Sequence, residues 1–247
     1  TAIGKMSGML STVPVAKLGE VVIREAVRRA GIQPADVDMV YMGCILQAAQ
    51  GQNVARQAAV NAGIPIESPA VTINVVCGSG LEAVNMAARM VLLGEADVVV
   101  AGGMENMSLI PHYLHLRNGQ KFGSVSMIDG MQKDGLTDAY DNNAMGVSAD
   151  LCASEYKISR EEQDSFAIQS YERSANAWKE GKFNNEVVPV SVPQRRGEPI
   201  IVSQDEEYTN VKLDKIASLN PAFTKDGTVT AANASTINDG AAALILM

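Results

Sequence analysis

Short apolar runs alternate along this chain with stretches in which apolar residues return every third or fourth position. Behind Pro14, residues Val15, Leu18, Val22, Ala26 and Ala30 recur at helical spacing, opposite Lys17, Glu20, Arg24 and Arg28, and Gly31 follows; the pattern predicts a helix. After the turn residues Gln33-Pro34-Ala35-Asp36, positions 39–42 (Met-Val-Tyr-Met) are short, apolar and bounded, as a buried strand requires. Residues 54–62 then read as a short helix, 71–76 as the next strand and 81–93 as a helix apolar on most faces, hence buried. Residues 97–103 form a third apolar run ending in Gly102 and Gly103, with Met104-Glu105-Asn106 after it. Continuous apolar strands alternating with helices predict an α/β fold with a parallel sheet covered on both sides, because right-handed crossovers lay helices over both faces. Sites in such sheets lie at the carboxyl ends of strands, where the bare backbone of Gly102 and Gly103 would leave space.

From Ser108 the alternation stops, and glycine, asparagine and charge increase until about residue 145. Helical spacing returns over 145–156, and Ser159-Arg160-Glu161-Glu162 is a capping box opening a helix that runs through Phe166, Ile168, Ala175 and Trp178 to Gly181. Residues 187–190 and 199–202 flank Arg195-Arg196-Gly197 and suggest a two-stranded element, whose arginines are read either as a phosphate site or as a solvated turn. Small residues dominate from Pro221 to Gly240, either admitting a flat ligand or packing a loop tightly on the sheet, before a last apolar run.

Composition narrows the class. With 247 residues, 47% hydrophobic and 19% charged, the chain can bury one large core or two smaller domains. A net charge of −8 argues against nucleic acid or an anionic membrane as partner, since both are polyanions. Cys44, Cys77 and Cys152 are odd in number, widely spaced and without a CxxC pair, which suggests neither a disulfide framework nor a thiolate metal site and fits a reducing, cytoplasmic setting. The only histidines, His112 and His115, have no cysteine or paired acid nearby to complete a metal set, and suit a surface or subunit-contact role. No apolar run reaches the roughly 18 residues of a membrane span. Thr1-Ala2-Ile3-Gly4 reads as the turn after a strand that is not present, and the last seven residues are apolar, so the expectation is a fragment.

The chemistry gathers at Asn74-Val75-Val76-Cys77-Gly78-Ser79-Gly80, a strand, a sharp turn and a helix with a thiol at the corner. Unpaired N–H groups and the positive end of a helix dipole favour thiolate over thiol at such a place, and thiolate is the nucleophile. Gly78 and Gly80 would allow the tight turn and the close approach of a thioester, a geometry similar to the nucleophile elbow. Taken alone, Cys77 reads equally well as a small buried residue ending a strand.

Together with Ala101-Gly102-Gly103-Met104-Glu105-Asn106-Met107-Ser108, Lys133-Asp134-Gly135-Leu136-Thr137-Asp138 and the stretch from Thr228 to Gly240, this motif resembles the thiolases, specifically the acetyl-CoA acetyltransferase type, over nearly the whole chain. The resemblance implies a thiolase fold in which residues 1–107 with 238–247 form an N-terminal βαβαβ core and 108–237 an inserted α+β loop domain for coenzyme A and oligomerisation. It implies Cys77 as the nucleophile, with Leu136, Met145, Phe223, Ala231, Ala234, Ser235 and Ile237 contacting coenzyme A, no metal and no prosthetic group. Acetyl-CoA and acetoacetyl-CoA would be substrates of a Claisen condensation or its thiolytic reverse through an acyl-cysteine. Ala144 and Tyr208 depart from a histidine and an arginine of some bacterial members. The segment 112–127 resembles a tetramerisation loop, so a homo-oligomer, dimer or tetramer, is expected. The family's Gly-His-Pro, Asn-Glu-Ala-Phe and second-cysteine motifs do not occur in this sequence, so neither Cys44 nor Cys152 takes the base role. A degradative 3-ketoacyl-CoA thiolase and a non-catalytic coenzyme A-binding fragment stand as alternatives.

Overall fold

The computed structural model describes residues 1–247. Helix α1 (Val15–Ala30) starts behind Pro14, whose backbone is extended, and stops at Gly31, which takes the left-handed conformation at φ 73° and donates its N–H to Arg28. Helix α2 (Val54–Ala62) is capped by the Asn53 side chain, which accepts the Arg56 N–H at 3.1 Å. Between and after them lie β2 (Met39–Gly43) and β3 (Ala70–Ile73), followed by α3 (Ser79–Leu92) and β4 (Val99–Asn106).

These strands join β1 (Gly4–Lys5) and β9 (Asn238–Leu246) in a five-stranded sheet of order β1-β9-β4-β2-β3. Side chains alternate across it. Val40, Met42, Val100 and Met104 enter a core of 25 buried residues with Leu18, Ile23, Val54 and Ala58 of α1 and α2. Met39, Tyr41, Val99 and Ala101 face the other way, onto Ala83 and Ala87 of α3.

The sheet differs from the sequence expectation in four respects. It is mixed rather than parallel: β2 runs parallel to β3 and β4, but β9 lies antiparallel between β1 and β4. Pairing with β9 also carries β4 three residues past Gly103, with Met104 opposite Ala241 and Asn106 opposite Asp239. Strand β3 ends at Ile73 rather than Val76, because the backbone turns through a left-handed Val76. Helix α3 is not buried all round. It rests on the sheet by one narrow face of small residues, while Leu81, Leu92 and Leu93 are 68%, 84% and 72% exposed.

Residues beyond β4 are irregular at first, with a hairpin of β5 (His112–Tyr113) and β6 (Ile128–Asp129) and a π-turn at Gln132–Leu136. Two helices follow, α4 (Met145–Glu155) and α5 (Arg160–Lys179). The reciprocal capping box expected at Ser159 is present, with its side chain accepting from Glu162 and Glu162 accepting from the Ser159 N–H at 2.8 Å. Strands β7 (Val190–Val192) and β8 (Ile200–Val202) pair antiparallel, the first starting after Pro189, which lacks the N–H that pairing needs. Buried carboxylates fasten this region to the sheet. Glu206 accepts N–H groups of Lys5 and Met9, and Asp239 accepts both the N–H and the hydroxyl of Ser108.

Candidate active site

Cys77 is exposed on the loop between β3 and α3. The turn that presents it is made by Val76, at φ 54°, a conformation that crowds a β-branched side chain. Two side chains hold it there. Asn74 Oδ1 accepts the Val76 N–H at 2.9 Å, and Ser79 Oγ accepts the Val75 N–H at 3.0 Å while donating to the Val76 carbonyl. Gly78 is the N-cap of α3 at an ordinary φ of −82°, and Gly80 also keeps a negative φ, so neither glycine makes the turn, contrary to the sequence expectation. Gly80 instead lies along the backbone of Gly102 and Gly103. Cys77 thus stands at the head of a helix whose opening N–H groups, at Gly80 and Leu81, find no acceptor within the chain.

A cavity of about 710 Å³ opens beside it, bordered by Cys44, Cys77, Ser79, Gly80, Gly103 and Glu105 among others. The Glu105 carboxylate projects from β4 and accepts the N–H groups of Ile45 at 2.8 Å and Leu46 at 3.1 Å, while the Cys44 thiol donates to it at 3.6 Å. Burial pushes the Glu105 carboxyl up from its ordinary range, against the pull of those donors. Burial, followed by the adjoining Glu105 charge, pushes the Cys44 thiol far above the usual range, which disfavours the nucleophilic thiolate. Gly102, expected to leave space for a ligand, serves the sheet: a Cβ there would lie 2.1 Å from the Ala242 carbonyl oxygen on β9.

A second cavity, of about 570 Å³, lies between α4 and the loop 223–237. Leu136, Met145, Phe223, Ala234, Ser235 and Ile237 all line it. Ala231 does not, and is exposed on the same loop. The Phe223 ring lies flat against Gly146, where a Cβ would come within 2.2 Å of it. Cys77 is not among the lining residues, so the thiol and this group of candidates border separate cavities.

The loop is held by residues that the sequence reading passed over. Asp150 on α4 accepts the Thr224 hydroxyl at 2.7 Å and the N–H groups of Thr228 and Val229 at 2.9 and 3.0 Å. Burial alone would raise its pKa, but these bonds outweigh it and hold the carboxyl below its usual value. Asn233 donates to Asp164 and to the Thr228 carbonyl and accepts the Thr230 N–H at 2.7 Å. Asp164 in turn pairs with Arg160 at 2.7 Å. Asp150 and Asp164 lie three residues before Ala153 and Ala167, on the buried faces of α4 and α5, and carry no motif, so spacing could not show which donors they meet there.

Elsewhere, His112 stands 3.8 Å from Asp129 in the β5–β6 hairpin, and Arg195 and Arg196 are exposed at the β7–β8 turn. No group of three or more His, Cys, Asp or Glu could hold a metal ion, and no helix is long and apolar enough to cross a membrane.

A family model described as thiolase, N-terminal domain, matches residues 1–247. An acetyl-CoA acetyltransferase of Chromobacterium violaceum is 52% identical over 249 residues, covering 100% of this chain and 64% of that protein. The acetyl-CoA acetyltransferase of Cupriavidus necator is 51% identical, with 100% of this chain and 63% of that protein covered. Among solved structures, the Acat5 thiolase of Ascaris suum in complex with coenzyme A superposes with a TM-score of 0.94 at 42% identity, covering 99% of this chain and 63% of its own. The chain therefore spans a little under two thirds of the length of these relatives.

Proposed function

Because the chain belongs to the thiolase family, we propose that it carries the acyl-accepting cysteine and the coenzyme A site of an acetyl-CoA C-acetyltransferase. In this reading the Cys77 thiolate attacks the thioester carbonyl carbon of an acyl-CoA. The new carbon–sulfur bond replaces the old one, and coenzyme A leaves as a thiolate that takes up a proton. Dividing the transfer at an acyl-enzyme turns one difficult step into two easier ones. A second acetyl-CoA, deprotonated at its methyl carbon, then attacks the acyl group to give acetoacetyl-CoA and regenerate the thiolate; thiolysis is the reverse.

The observation that carries this reading is the placement of Cys77, exposed at a strained turn ahead of a helix whose Gly80 and Leu81 N–H groups are free. Those groups are donors for charge developing beside the sulfur. The grouping of Leu136, Met145, Phe223, Ala234, Ser235 and Ile237 around one cavity supports a coenzyme A site there, with Met145 limiting acyl length and Ser235 as the polar contact. Ala231 is retained as an outer contact on the same loop. We assign residues 1–107 with 238–247 to the nucleophile-bearing core and 108–237 to the loop domain, in a cytoplasmic homo-oligomer.

Intact-mass spectrometry after mixing the chain with acetyl-CoA or acetoacetyl-CoA tests the proposal, with Cys77→Ser alongside. One added acetyl group, absent from the serine variant, is expected, with no turnover by residues 1–247 alone. An adduct that survives Cys77→Ser would sink the assignment.

A further inference from the structure

The Ala101 to Ser108 motif contains one carboxylate, Glu105, that the proposed reaction does not use, although it borders the same cavity as Cys77. Its two carboxylate oxygens grip consecutive N–H groups, those of Ile45 and Leu46, just past the end of β2. That segment is the floor under the nucleophile. At Gly43 a Cβ would lie 2.6 Å from the Ser79 carbonyl carbon and 2.7 Å from the Gly80 nitrogen, so β2 ends in direct contact with the first turn of α3. The chain of bonds continues upward: the Ile45 carbonyl accepts from Asn74 Nδ2 at 3.4 Å, and Asn74 Oδ1 accepts the N–H of Val76.

From this geometry we infer that Glu105 is a positioning residue for Cys77, acting through the Ile45 peptide and the Asn74 amide on the turn at Val76. A β-branched residue at positive φ persists only where its surroundings over-determine it, and besides the turn's own backbone bonds, Gly78 N–H to Val75 and Ser79 N–H to Val76, it has two side-chain supports, Asn74 and Ser79. Ser79 belongs to α3 itself. Asn74 is the support that reaches outside the turn, and what it leans on is fixed by Glu105. Glutamate suits the task where glutamine does not, since each of its two oxygens meets one N–H, whereas an amide held the same way would turn its NH2 donors toward one of them. Loss of the grip frees the turn and carries the sulfur away from the free N–H groups of Gly80 and Leu81 at the start of α3.

The inference rests on Cys77 as the acyl-accepting thiol of the proposed reaction, yet its test needs no acyl-CoA. The rate of iodoacetamide alkylation is measured for Cys77 by peptide mass spectrometry across a range of pH, with exposed Cys152 in the same chain as internal reference. For Glu105→Gln and for Asn74→Ala, the expected result is a Cys77 rate about fivefold lower at neutral pH. The Cys152 rate stays unchanged, and the double variant falls no further than either single one. A Cys77 to Cys152 ratio unchanged in either folded variant, or single effects that multiply in the double variant, overturns the relay. Should Glu105→Gln fail to fold, Glu105→Asp, which keeps the two acceptor oxygens at shorter reach, takes its place in the same comparison. Absence of an acetyl adduct together with a coupled fall in alkylation overturns the proposed reaction and leaves the relay standing.

Discussion

Valine at φ 54° is costly because its branched Cβ crowds the neighbouring peptide, and Val76 is half exposed, so little packing compensates. Replacing it with glycine removes the strain but adds backbone entropy to the unfolded chain. The two effects are each of order ~1 kcal/mol and opposed. Val76→Gly is therefore expected to leave chemical-denaturation stability nearly unchanged while reducing Cys77 acylation; a large loss of stability would show that the valine contributes packing. Glycines nearby separate by geometry rather than by chemistry. Gly43→Ala drives a methyl group into the α3 backbone and is expected to cost about 1–3 kcal/mol, as overpacking does. Gly80→Ala meets only ordinary contacts, the nearest at 3.9 Å, and should stabilise by about 0.4–1 kcal/mol while narrowing the cavity beside Cys77. Thermal midpoints of the two variants moving in the same direction would refute that account.

At the scale of elements, the polar contact between α4 and the loop opposite it, across the second cavity, is made by Asp150. Asp150 accepts three donors of residues 224–229, and its carboxyl is held below the ordinary 3.8. A carboxyl whose folded pKa is depressed binds fewer protons folded than unfolded, so its stabilisation is complete above the ordinary value and is lost as pH falls through the depressed one. The loop should accordingly detach from α4 in acid, followed by the amide resonances of Thr228 and Val229, and Asp150→Ala should abolish that transition. The same variant is expected to weaken coenzyme A binding about tenfold by titration calorimetry, the equivalent of one charge-assisted hydrogen bond. Unchanged affinity would place coenzyme A elsewhere. The Arg160–Asp164 pair at the start of α5 fastens Asn233 on the far side of the loop, so two helices hold one segment from both ends.

Across the whole molecule, apolar surface is left open on the α3 side of the sheet. Leu81 and Leu92 project from α3 and Leu93 from the residue that closes it, and β3 is the last strand of the sheet, with Val71 exposed on it and Ile66 just before it. Contiguous apolar surface and an open strand edge both promote association. The chain is expected to self-associate in light scattering, and a monodisperse monomer at working concentration would contradict this. This face also marks where sequence reading ended. Local pattern determined α1 from its stripe and its closing glycine, β2 from a short bounded apolar run and α5 from its capping box, because each is decided by interactions within a few residues along the chain; at the Cys77 corner it expected glycines to make the turn that Val76 makes. The same local reading expected α3 to be buried all round and the sheet to be parallel. Whether a face is covered, or which strand enters a sheet beside another, depends on segments distant in the chain: β9 reaches β4 from more than a hundred residues away and makes the sheet mixed. Only the tertiary structure could show that Glu105 grips the end of β2 and that Asp150 holds the loop at Thr228, since a carboxylate on a strand or helix looks solvated until the backbone donors that surround it arrive from elsewhere.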